Sequence, residues 1–382
     1  MRRQSKENMK KVLLTATVQS HIGQFHRPLV EVLHELGYEV HVAARDNLAE
    51  KNGLKLDFVD RVYDIPFSRS PKSLDNFKAY NQIKNILKNE YYDVVHCNTP
   101  MGGIVTRLAA RKTRRRGTRV IYTAHGFHFY KGSPIKNWIL FYPIERIMAH
   151  LCDTLITITK EDYQLAKKHF HASVEHIHGV GVNTDRYHPV SEEKQLLMRQ
   201  AEDLKKNEFV ILCTGELNKN KNQKTLIEAA KKLKQVIPDL VILIAGNGPM
   251  EYALKKQIKE LGLEKHVRML GYRTDLEKIT PAVDLVVSCS YREGLPLNII
   301  EAMLCKKPVV VSFNRGHKEL VKDDFNGFIL NADEIEGYVK AIKELIERKD
   351  KRSSFGENGY KKAKRYTADY VKKELKAIYR LG

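Results

Sequence analysis

Short apolar, β-branched runs alternate with helix-patterned segments along almost the whole chain, and that rhythm leaves few folds open. A run without polar alternation reads as a strand buried on both faces. Strands of that kind joined by helices imply parallel sheets with helical crossovers. One series comprises Lys11–Val18, Glu39–Ala43, Asp93–Cys97, Val120–Ala124 and Thr154–Ile158. A second comprises Phe209–Thr214, Val241–Ala245, Val267–Leu270, Leu285–Ser288 and Pro308–Ser312. Between them Val190 to Asn207 is charged and carries no strand pattern. A chain of 382 residues suits two such domains, each with its own core. The expected organisation is a flexible basic extension over residues 1–10, a first Rossmann-like domain over 11–185 and a linker over 186–206. A second Rossmann-like domain over 207–365 and an amphipathic C-terminal helix over 366–382 complete it.

The charge is lopsided. Lys and Arg number 66 against 46 Asp and Glu, a formal net charge of +20, which calls for an acidic partner: nucleic acid, an anionic membrane or phosphorylated substrates. The 5 cysteines are scattered singly, most within or beside apolar runs, and read as small buried residues of a reducing compartment. The first apolar run is too short and polar for a signal peptide, and nothing reaches the length needed to span a bilayer. The expectation is a cytoplasmic protein, peripheral at most on the inner face of the membrane.

The densest chemistry lies in Glu293-Gly-Leu-Pro-Leu-Asn-Ile-Ile-Glu301, directly after the apolar run Val283–Ser290. Gly294 and Pro296 mark a tight turn, with Pro296 suited to the first position of a helix. A strand, a glycine turn and a fresh helix N-terminus present free backbone N–H groups and the positive end of the helix dipole, an arrangement that attracts anions. The flanking carboxylates would repel a phosphate and favour neutral hydroxyls. A ligand with both a diphosphate and many hydroxyls is a nucleotide sugar. The plainer reading is one surface glutamate beside a helix and a second on its exposed face.

Glu, seven residues, Glu, in the form EGLPLNIIEAM, resembles the signature of retaining glycosyltransferases of family 4. That resemblance implies the GT-B fold, an α/β architecture of two Rossmann-like doubly wound domains facing across a cleft, with the C-terminal helix crossing back to the first domain. It implies that Glu293 meets the donor sugar's hydroxyls and Glu301 the ribose. Backbone N–H groups of Gly294, Leu295, Leu297 and Asn298 would meet the departing diphosphate. In Thr214-Gly-Glu-Leu-Asn-Lys-Asn-Lys, Lys221 matches the family's diphosphate-neutralising lysine. Glu216 stands where the family usually has an arginine, a departure that leaves Lys219 as the nearest replacement cation. Gly246-Asn247-Gly248 resembles a donor-side turn, and Tyr272 and Arg273 fall in the segment near the nucleotide base, where backbone groups would read it. Gly23 falls in the strand–helix turn that reaches over the donor phosphates. His125, in Thr123-Ala-His-Gly-Phe-His-Phe-Tyr-Lys131, matches a histidine near the reacting sugar, and that segment is similar to enzymes of bacterial capsule, exopolysaccharide and biofilm assembly.

The resemblance thus implies a retaining, metal-independent transferase taking a nucleotide-diphosphate sugar, with UDP as the expected nucleotide, to a polyprenyl-diphosphate-linked saccharide, with no cofactor. No Asp-x-Asp pair is present to clamp a metal diphosphate. A metal site on His125 and His128 would lack a completing ligand cluster, so no metal is assigned. The basic run Arg111–Arg119, including Arg114, Arg115 and Arg116, suits an anionic lipid headgroup or a lipid-diphosphate acceptor, and equally a solvated helix end. His128 falls on the same acceptor side. The alternatives are a UDP-sugar epimerase of the same fold and a basic nucleic-acid- or membrane-binding protein. No recognised nucleic-acid module accompanies the charge.

Overall fold

The computed structural model describes residues 9–51 and 53–380, and most of the basic extension expected over 1–10 lies outside the described residues. The chain forms two compact units, one of Met1–Gly181 with Ala368–Gly382 and one of Val182–Thr367. Each is built on its own parallel sheet.

In the first unit the strands are β1 (Lys10–Val18), β2 (Tyr38–Arg45), β3 (Arg61–Asp64), β4 (Val94–Asn98), β5 (Arg119–Ala124), β6 (Thr154–Thr157) and β7 (Ser173–His176). Their order is β3-β2-β1-β4-β5-β6-β7, all parallel. The apolar runs supplied the inner strands. The short edge strands β3 and β7 were not visible in the sequence because neither is buried: β3 is largely exposed and β7 half-buried.

The second unit holds β8 (Phe209–Thr214), β9 (Leu240–Ala245), β10 (Val267–Gly271), β11 (Leu285–Ser288), β12 (Val309–Ser312) and β13 (Gly327–Leu330), ordered β10-β9-β8-β11-β12-β13 and again all parallel. Along β8 the side chains alternate between two cores. Ile211 and Cys213 pack with Leu226, Leu233 and Tyr338 on one face, and Val210 and Leu212 pack with Ile299, Met303 and Leu320 on the other. That double burial is why the strand reads as a continuous apolar run. All 5 cysteines are buried and free. The stretch expected as a linker contains a capped helix, Glu192–Ala201, whose Arg199 is buried against the Asp284 carboxylate and the carbonyl of Ala282. Its helical period is short and mostly polar, which hid it.

The C-terminal helix Ala368–Arg380 belongs to the first unit. Tyr379 bonds His96 of β4 at 2.6 Å, Glu374 pairs with His178 at 2.7 Å, and Lys372 and Lys376 pair with Glu31 and Glu35 of the helix Arg27–Glu35. None of the helices in the described residues is long and apolar enough to cross a membrane.

Strand order decides where ligands can sit. In an open parallel sheet the crossovers leave a crevice at the C-terminal strand ends where the winding direction reverses. Those points fall between β1 and β4 in the first unit and between β8 and β11 in the second.

Candidate active site and the family of the chain

At the β8/β11 point, the loop after β8 and the loop after β11 are tied together. Asn220 donates its amide to the Arg292 carbonyl at 2.9 Å and accepts from the Tyr291 N–H at 2.8 Å. Across this junction the Lys221 ammonium meets the Glu293 carboxylate at 2.7 Å, both partly buried. Asn218 accepts from the Lys221 N–H at 2.9 Å, and Asn298 donates to the Thr214 carbonyl at 3.3 Å, so loop, strand and helix hold one another. The helix after the turn runs Leu297–Leu304. Pro296 is its cap in extended conformation rather than its first residue, one position earlier than its ring geometry suggested. Leu295 and Leu297 pack against the adjoining core. The opposite side of the turn is closed by Gly316, where a Cβ would lie 2.3 Å from the Gly294 carbonyl oxygen.

Gly246 and Gly248 are required by close backbone approach. Both have positive φ, and a Cβ on Gly246 would fall 2.0 Å from the Gly215 oxygen, one on Gly248 2.6 Å from that of Leu217. The Leu217 N–H donates to the Asn247 carbonyl at 2.9 Å, so the β8 and β9 loops run in contact. Glu216 is exposed and accepts from the Asn218 amide; Lys219 is exposed nearby. Tyr272 is exposed, while Arg273 spends its guanidinium on Glu202 at 2.6 Å and Asp275 at 2.7 Å, leaving the backbone of that segment as its free recognition surface.

Glu301, one helix turn from the turn itself, has an unusual environment. Burial pushes its carboxyl up to about 7; Arg186 pulls it down, Glu277 pushes it up, and a hydrogen bond from Tyr187 pulls it down. Arg186 is held by Glu277 at 2.7 Å and by the Thr274 carbonyl at 3.2 Å. Sequence reasoning missed Arg186 and Tyr187 because they stand more than a hundred positions from Glu301. It also missed His317, which is fully buried beside Glu293, with its Nδ1 at 2.7 Å from the Ser312 carbonyl and its Nε2 without a hydrogen-bond partner.

In the first unit, His125 follows β5 and its Nε2 lies 3.1 Å from Asn98 Oδ1 at the end of β4 and 3.3 Å from His21 Nε2 after β1. These are the strand ends flanking the β1/β4 point. The neighbouring Thr99 has φ 64°, a strained conformation for a β-branched residue, held by its hydroxyl against the Thr17 hydroxyl at 2.7 Å and N–H at 3.1 Å. Gly23 is not in an open turn: the chain is already helical over Gln19–Phe25, and the missing side chain makes room for Leu54, 3.0 Å from where a Cβ would stand. His128 is stacked on Phe141 at 4.7 Å and is not part of the histidine group that holds His125. Arg115 and Arg116 are exposed, whereas Arg114 is engaged with Asp153 at 2.9 Å and with the carbonyls of His150 and Cys152.

Two parallel-sheet units with polar loops at their reversal points, one carrying a Lys–Glu pair beside a glycine cradle, have the architecture of a GT-B enzyme, and comparison with known proteins agrees. Residues 26–186 match the model described as Glycosyltransferase Family 4, and residues 194–362 that of Glycosyl transferases group 1. The chain is 40% identical over 97% of its length, and 96% of the relative's, to EpsD of Bacillus subtilis (strain 168), whose own glycosyltransferase name is provisional. It is 31% identical over 79% of its length, and 80% of the relative's, to an Escherichia coli UDP-Gal:alpha-D-GlcNAc-diphosphoundecaprenol alpha-1,3-galactosyltransferase. The crystal structure of Anabaena HepE in complex with UDP and glucose superposes with a TM-score of 0.78 at 21% identity, covering 98% of this chain and 100% of that one. The chain therefore belongs to the family 4, group 1 glycosyltransferases and has their GT-B fold. These relatives are transferases, which weighs against the epimerase reading.

Proposed function

We propose that this glycosyltransferase moves a sugar from a UDP-linked donor to a polyprenyl-diphosphate-linked saccharide, with retention of anomeric configuration, in assembly of a bacterial surface polysaccharide. The observation that carries the reading is the Lys221–Glu293 pair at the β8/β11 point, 2.7 Å apart and framed by Gly246, Gly248 and the helix start at Leu297. When the bond between the anomeric carbon and the diphosphate breaks, negative charge grows on the leaving oxygen. The Lys221 ammonium and backbone N–H groups of Gly294–Asn298 meet it, without a metal on the diphosphate. Glu293 then accepts from sugar hydroxyls and Glu301 from the ribose. The acceptor hydroxyl attacks on the face the diphosphate leaves and gives up its proton to the departing phosphate oxygen, so no covalent nucleophile is needed. His125 serves the sugar as a neutral imidazole, because burial holds it down at about 4. Similarity to a relative whose named substrate is a diphosphoundecaprenol-linked sugar supports the lipid-linked acceptor.

Peripheral membrane attachment is part of the proposal, and the helix Ile135–Ala149 supports it. Trp138, Phe141 and Tyr142 pack inward, while Ile135, Ile139, Leu140 and Ile147 are 76%, 72%, 58% and 65% exposed. Arg114 fastens the end of this helix to the basic run, where Arg115 and Arg116 are exposed, so an apolar stripe and cations share one region. That combination suits an anionic bilayer surface.

The test is a thermal-shift titration with UDP, GDP, ADP and UDP-sugars, run beside Glu301→Ala, followed by NMR of the product linkage. Selective stabilisation by UDP compounds that weakens in the variant is expected. A preference for another nucleotide overturns the donor assignment, and an inverted linkage overturns retention.

A further inference from the structure

We infer that His21, His26 and His125 form a binding site for one transition-metal dication of the zinc type, in the first unit. Each offers one ring nitrogen, and the three nitrogens lie within 4.8 Å of one another. Two nitrogens about 2.05 Å from a tetrahedral zinc stand about 3.3 Å apart. His21 Nε2 and His125 Nε2 are separated by 3.3 Å. The fold holds all three rings from different elements: His21 in the first turn after β1, His26 at the joint between the helices Gln19–Phe25 and Arg27–Glu35, and His125 after β5. Ring centroids are 4.7 to 5.3 Å apart.

A second observation also points to a ligand. His26 is 4% exposed, and its Nε2 is buried with no hydrogen-bond partner. A buried polar atom left unpaired costs about 1–3 kcal/mol, and a metal bond would satisfy it. Asn98 Oδ1 adds a neutral oxygen 3.1 Å from His125 Nε2. Three histidines with an open fourth position bind metal without a thiolate. While a metal is bound, His125 cannot meet a sugar hydroxyl, so loading should slow transfer. The site itself does not depend on the donor chemistry.

The test needs no activity. Untagged full-length protein is stripped with chelator and titrated with cobalt(II), read by the visible absorption of tetrahedral cobalt, with zinc then competing in calorimetry. One equivalent per chain is expected. His26→Ala and His21→Ala should each weaken binding at least about tenfold, and His26→Cys, which keeps a ligand, should restore it. His171→Ala, which breaks the His150–His171 surface pair at 4.3 Å, should leave it unchanged. Circular dichroism verifies folding, and partly exposed His21 provides the variant least tied to packing if His26→Ala does not fold. Absence of tetrahedral cobalt in folded wild type, binding that survives both alanine variants, or binding lost only in His171→Ala overturns the site.

Discussion

Lys221 and Glu293 pair with each other at 2.7 Å; on the proposed reading each takes a different partner during transfer, so the pair would open as the donor enters. On that reading the lysine would meet a charge that grows only as the diphosphate leaves, and its removal should act on the transition state. Lys221→Ala is expected to lower kcat about 100-fold with little change in KM; steady-state kinetics with varied donor checks the split. Glu301 carries a pH signature. A carboxyl raised to about 7 accepts hydroxyl hydrogen bonds fully only when ionised. Donor affinity should therefore rise about tenfold between about pH 6 and pH 8, by calorimetry, and Glu301→Gln should flatten that profile. The stability sign is opposite. The folded chain keeps a proton at Glu301 that the unfolded chain releases above its ordinary carboxyl range. Its stability contribution is thus full below about pH 4.5 and is lost as pH rises through about 7.

In the helix Ile135–Ala149 composition alone does not say which face is buried. Its apolar content suggests a buried helix, but one buried charge fixes which face goes in. Glu145 pairs at 3.1 Å with Arg107, which is 1% exposed and stacks on the Tyr122 ring at 3.9 Å. That contact turns Trp138 and Tyr142 to the core and leaves Ile139 and Leu140 outside. Glu145→Ala would strand the Arg107 charge and should destabilise the protein by about 3–5 kcal/mol, read by urea denaturation. On the outer face, the double variant Ile139→Glu and Leu140→Glu should fold normally and lose most binding to anionic vesicles in flotation. The glycine turns behave as a second kind of element. Gly246→Ala would drive a methyl into the Gly215 carbonyl and should cost about 3 kcal/mol or more, because backbone rather than a side chain blocks it.

Across the whole molecule the charge of +20 suits a surface that meets both nucleotide diphosphates and anionic lipid. Vesicle binding should weaken steeply as salt rises from about 0.01 to 0.15 M, as the screening length falls from about 30 to 8 Å. The inner strands, the parallel class and the Glu293–Glu301 motif were legible in the amino-acid order, because double burial and tight turns impose residue types locally. The edge strands β3 and β7, half-exposed or more, leave no such mark, nor does the polar helix Glu192–Ala201. Similarity to family 4 located Lys221 and His125, but their partners lie far along the chain: Glu293 is 72 residues from Lys221, and His21 is 104 residues from His125. Strand order alone puts the ends of β8 and β11, and of β1 and β4, side by side. The sequence by itself determined which inner segments are strands and where the tight glycine turns fall, since those depend on neighbours a few residues away. Only the tertiary structure decided that three histidines share one pocket of nitrogens, that Arg114 is spent on carbonyls, and that Ile139 faces outward, since those depend on which distant elements the sheet brings together.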